Sequence, residues 1–139
     1  MSNSTNKPNT LFWVIAVVAL IWNGLGVLAY LTRAFITDEM IAMLPIEQQA
    51  EFLIVYPSWY TAAFAIAAFG GAQGGLFLLL RKKLATTLFI LSALGAITQH
   101  IYIFMNIEVL SYIMPVMVIV VCIFLVWFSK DATKKGFIA

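Results

Sequence analysis

Charge is what this sequence has least of. Only 10% of its 139 residues are Asp, Glu, Lys or Arg, against about 25% in an ordinary soluble domain. It has one histidine and one cysteine, Cys122. A lone thiol excludes a disulfide framework, and inside an apolar run it behaves as a small hydrophobe. No Cys/His pair has the spacing of metal ligands, no glycine-rich loop suits a phosphate, and no nucleophile elbow occurs. No charged residue lies deep in an apolar run. That argues against ion-coupled antiport through a buried carboxylate. The sequence therefore offers no catalytic residue, metal, cofactor or nucleic-acid partner.

What is present is apolar. Hydrophobic residues make up 63% of the chain, and its mean hydropathy is +1.00. A water-soluble chain this short could not bury so much apolar surface, so the solvent is a lipid bilayer. A helix crosses a bilayer in about 20 residues. Four runs qualify: 11–31, 58–80, 84–105 and 109–128. Val27-Leu28-Ala29 faintly resembles a cleavage site, but the first run is long enough to span and is led only by Lys7. The expectation is an all-α membrane protein with one domain. It is a four-transmembrane-helix bundle, with short interfacial helices in the first extracytoplasmic loop.

One stretch organises the rest. In 61–75, TAAFAIAAFGGAQGG, ten of fifteen residues are Ala or Gly. Small side chains let membrane helices approach closely, so dispersion contacts can hold a bundle together. Gly70/Gly74 and Gly71/Gly75 form two staggered Gly-x-x-x-Gly pairs around Gln73, which places this helix at the centre. In the first run Ala16, Ala19, Asn23, Gly26, Tyr30 and Arg33 follow a 3-4-3-4-3 spacing and share one face. In the third run, Ser92, Ala93, Gly95, Ala96, Gln99, His100, Tyr102 and Asn106 occupy one arc. Large residues such as Ile90, Leu94, Ile101 and Phe104 occupy the other. The small and polar arc faces the bundle and the large one faces lipid. The fourth run is almost uniformly large, as suits a peripheral helix.

The first loop has structure of its own. Thr37 suits an N-cap, with Asp38 and Glu39 in the first turn behind it. Pro45 ends that helix and begins another. Two interfacial helices over about 38–54 follow. Seven of the eight basic residues lie on one side: Lys7, Arg81, Lys82, Lys83, Lys130, Lys134 and Lys135. Asp38, Glu39, Glu47, Glu51 and Glu108 lie on the other, with Arg33 the exception among basic residues. The positive-inside rule then puts both ends of the chain in the cytoplasm.

The inward polar groups are the candidates for function. Asn23 lies near mid-membrane, and Gln99 and His100 lie roughly 8 Å outward of the midplane at 1.5 Å per residue. Asn23, Gln73, Gln99, His100 and Tyr102 are the groups a neutral, hydroxyl-rich solute would use. Asn23 has a plainer role as interhelical glue, worth about 0.6 kcal/mol on average, and His100 has one as a neutral, hydrogen-bonded packing residue. His100 is the only histidine and the one titratable side chain placed on an inward face within the apolar zone. Gly26, Gly70, Gly71, Gly74, Gly75 and Gly95 are the expected close-packing positions.

The segments TDEMIAMLP, YPSWYTAAFAIAAFGGA, RKK and VWFSK resemble a family of small four-span bacterial membrane proteins often labelled sugar transporters. The resemblance covers nearly the whole chain. It implies four spans, a bacterial cytoplasmic membrane and a transport role, and it carries over no functional residue. Two functions compete on the residues themselves. One is a non-enzymatic accessory or assembly subunit that docks to a second copy, or to a larger membrane protein, through helix 58–80. The other is a permease for a neutral, sugar-like solute that works as an oligomer. An intramembrane enzyme is the least supported reading, since nothing couples His100 to a nucleophile or an acid.

Overall fold

The computed structural model describes residues 7–106 and 113–139. Four of its helices are long and apolar enough to cross a membrane: α1 (Thr10–Phe35), α4 (Ser58–Leu79), α5 (Leu84–Asn106) and α6 (Ile113–Lys134). Two short ones, α2 (Asp38–Ala42) and α3 (Ile46–Phe52), fill the first loop. No strand occurs among the described residues. Glu108 and the expected start of the fourth span, 109–112, lie outside them.

The local rules hold at most ends. Asn9 caps α1 by accepting from the Phe12 N–H at 2.9 Å. Thr37 caps α2 by accepting from Met40 at 3.2 Å. Pro45 is the N-cap of α3 rather than its first helical residue. The α1 helix runs four residues past the expected end and carries Arg33 one turn further out. It stops where Ile36 turns extended.

α4 packs between α1 and α5, and α6 packs on α5. The central place of α4 and the peripheral place of α6 thus match the sequence reading. The two glycine pairs explain the arrangement. Gly70 and Gly74 face α5: a methyl on Gly74 would come within 2.8 Å of the Phe89 ring, and one on Gly70 within 3.4 Å of the Leu88 carbonyl. Gly75 faces α1, 3.0 Å from the Leu20 Cα by the same measure. Gly71 lies between both, against the Asn23 amide of α1 and the Ser92 hydroxyl of α5. On α5, a methyl on Gly95 would come within 2.8 Å of the Ala63 carbonyl. At Gly70, Gly75 and Gly95 the helices meet backbone to backbone, which only the smallest side chains permit.

Gly26 departs from the expected packing set. A methyl there would meet nothing within 4 Å. A small residue allows close approach but does not compel it, and α4 makes none at that height.

One end of the bundle is sealed. Phe12, Leu78, Ala85, Phe89, Leu125, Ala132 and Ile138 form a buried cluster there. After α6 the chain turns through Gly136, at φ 75°. Phe137 N–H donates to the Ala132 carbonyl and Gly136 N–H to that of Thr133, a Schellman closure. The tail then runs beneath the α4–α5 turn. Ala139 N–H donates to the Arg81 carbonyl at 3.1 Å, and Lys83 N–H to that of Ala139 at 3.1 Å. Arg81 takes the left-handed conformation that glycine favours, at φ 60°, and its Nε donates to the Phe137 carbonyl at 2.8 Å.

Candidate functional site

The opposite end is built differently. Arg33 reaches back from the last turn of α1, and its Nη2 donates to the Ile54 carbonyl at 3.0 Å. The guanidinium lies over two rings, 4.4 Å from the centre of Tyr56 and 5.7 Å from that of Phe52. Cation–π contacts of this kind stabilise by about 0.5–1 kcal/mol when exposed and more when desolvated. Tyr56 stacks on Tyr60 with ring centres 4.0 Å apart and planes 10° from parallel. Tyr102 packs against Tyr56, Trp59 and Tyr60 at 5.3–5.8 Å. Tyr30 meets the Phe64 and Phe69 rings edge to face at 5.4 and 5.6 Å.

The local sequence accounts for this. Pro57 starts α4 and forces Tyr56 into extended backbone just before the helix. Tyr56 and Tyr60 then lie four residues apart and stack. Gln99 enters from α5, and its Nε2 donates to the Tyr60 hydroxyl at 3.1 Å.

A cavity of about 170 Å³ lies among Tyr30, Arg33, Tyr56, Tyr60, Thr61 and Phe64. Its walls are aromatic faces, and its polar groups are a guanidinium and hydroxyls. Such a site suits a small solute that offers one face to a ring and hydrogen-bond acceptors to Arg33. No cluster of three or more His, Cys, Asp or Glu could hold a metal among the described residues.

The residues singled out from sequence fall into three groups. Gln99 and Tyr102 support this site without lining the cavity. Asn23 and His100 lie elsewhere. Asn23 donates to the Ala19 carbonyl at 2.8 Å and wedges beside Gly71. His100 is buried with its Nδ1 2.7 Å from the Ala96 carbonyl of its own helix. Both bonds stay within one helix. Gln73 is the correction: it is exposed, on the side of α4 away from α1 and α5. The glycine pairs occupy both packed flanks, so the residue between them points outward. Asn106 is also exposed and donates to the Tyr102 carbonyl of its own helix.

Arg33, Tyr56 and Tyr60 were absent from the expected site residues. One signal was available for Arg33, the only basic residue among the acidic ones and on the inward face of α1. The fold defines a multi-pass helical membrane protein. Beyond that class, the chain matches no family model, no curated protein and no solved structure.

Proposed function

We propose that the chain is a non-enzymatic membrane subunit that assembles with a second copy of itself through the outward face of α4. The observation that carries this is Gln73. It stands exposed in a membrane-crossing helix and has no hydrogen-bond partner among the described residues. A primary amide in hydrocarbon seeks a donor and an acceptor, and an identical amide from a second copy supplies both. Its surroundings fit a helix seam. Trp59, Ala62, Ile66, Phe69, Gln73, Leu76 and Leu80 are all exposed and follow a 3-4-3-4-3-4 spacing. One polar residue in such a seam fixes register and partner number.

This moves the assembly surface within helix 58–80. The glycines that suggested docking are taken up inside the chain by α1 and α5, and the large-residue face behind them remains. Charge placement puts the basic end on the cytoplasmic side, and the resemblance to small bacterial four-span proteins implies a bacterial cytoplasmic membrane.

Cysteine cross-linking in bilayers tests the seam. In a Cys122→Ala background, Gln73→Cys should give a disulfide-linked dimer, and Ile97→Cys on the lipid face of α5 should not. Gln73→Leu should weaken association about threefold to twentyfold, the range of one interhelical polar contact. Equal cross-linking at both sites, or none at Gln73→Cys, would sink the reading.

The aromatic cavity favours the second reading, a permease for a small neutral solute. Uptake by proteoliposomes that falls with Tyr60→Leu and survives Gln73→Leu would support it over the first.

A further inference from the structure

The basic end carries a second cavity, independent of the proposed seam. An open groove of about 530 Å³ lies between the start of α5 and the end of α6. Lys83, Thr86 and Thr87 line it from one side and Lys130, Thr133 and Lys134 from the other. The two sides share a spacing: Lys83 and Lys130 are each followed by a threonine three residues on and by a second polar residue at the fourth. That period puts all three side chains of each set on one helix face.

Three features point to an anionic ligand. Lys83, Lys130 and Lys134 have no carboxylate partner among the described residues. The acid beside them, Asp131, is already paired with Lys135 at 3.0 Å. Thr86 lines the groove, and its hydroxyl, turned out of solvent, has no hydrogen-bond partner among the described residues. Leaving such a group unmade is costly, so a ligand acceptor is favoured there. The groove also lies at the ends of two membrane-crossing helices, at headgroup depth. Leu84, at its edge, is half exposed and offers an apolar surface to an acyl chain.

We infer that this groove binds the phosphate of an anionic phospholipid headgroup, held by Lys83, Lys130 and Lys134 with the Thr86 hydroxyl as a donor. Lysines serve phosphate as point charges, and a phosphodiester offers enough oxygens for several donors at once.

Native mass spectrometry of the full chain in mild detergent tests it, with phosphatidylglycerol and phosphatidylcholine as probes. One phosphatidylglycerol should be retained in preference to phosphatidylcholine. The combined Lys83→Gln, Lys130→Gln and Lys134→Gln variant should bind it on the order of a hundredfold more weakly, at about fivefold per lysine. The control removes charge from the same end outside the groove, by Lys82→Gln, and leaves the Lys135–Asp131 pair intact. It should keep the lipid. Equal loss in the control would overturn the site, since general surface charge would then suffice.

Thr86→Val separates binding from folding. It should weaken lipid retention and leave the unfolding midpoint unchanged or raised, because an unpartnered hydroxyl is removed. Unchanged retention would remove Thr86 from the site. A final arm adds inorganic phosphate. Displacement of the lipid at equal concentration would overturn the lipid assignment in favour of a soluble anion. Retention against excess phosphate would support the lipid.

Discussion

At the basic end the helices are locked by phenylalanines and small apolar residues; at the other end they are joined by tyrosines with polar tips. Phe12 stacks on Phe128 at 5.9 Å and meets Phe137 edge-on at 5.8 Å. It is 1% exposed. Tyr56 and Tyr60 stack more closely, yet they border a cavity and lie near a guanidinium. Phenyl rings need only be covered, whereas phenols must also be hydrogen-bonded, which keeps an end open to polar ligands. The difference is in what lies between the helices: the basic end has an apolar lock there and carries its groove outside that lock, at Lys83 and Lys134, whereas the tyrosine end keeps a polar-tipped cavity between α1 and α4.

The largest expected effect tests the sealed end. Ile138→Ala should lower unfolding stability by about 2–5 kcal/mol, as for a buried aliphatic truncation, read from unfolding in mixed micelles. A change below about 1 kcal/mol would show that the tail is an ornament and not a lock. Next comes the contact between α4 and α5. Gly95→Ala should cost about 1–3 kcal/mol through overpacking against the Ala63 carbonyl.

Smaller and more local is Arg33→Gln, which removes a cation–π contact and the bond to Ile54. Hydrogen exchange across 46–57 should quicken while the global midpoint moves little. A midpoint shift as large as that of Ile138→Ala would break the comparison, because both ends would then belong to one cooperative core. Smallest is Gly26→Ala. With no neighbour to meet, the added methyl should change stability by less than about 1 kcal/mol, in the stabilising direction.

Much of the fold was legible because lipid selects so strongly. On α5 all six residues from Ser92 to His100 on the predicted inner arc are buried: Ser92, Ala93, Gly95, Ala96, Gln99 and His100. Large residues need no protein cover in a bilayer, so small and polar ones mark the inside. Gln73 shows where that rule fails. At 100° per residue it lies about 130° from the mean direction of the four glycines, so the geometry placed it outside while its polarity suggested inside. The Arg33–Tyr56 contact was illegible for another reason. It depends on the path by which α2 and α3 return the chain to α4, and no periodicity encodes a loop's return.

The tail beneath the α4–α5 turn bears on how the molecule is made. Synthesis runs from the N-terminus, and α4 can settle on α1, α5 on α4 and α6 on α5, each as it emerges. The hydrogen bonds between Arg81, Lys83 and Ala139 join positions far apart in time as well as in sequence. Before residue 139 is made, the Arg81 backbone holds its left-handed turn without that brace. The basic hairpin is therefore fastened only after the four described spans have been synthesised.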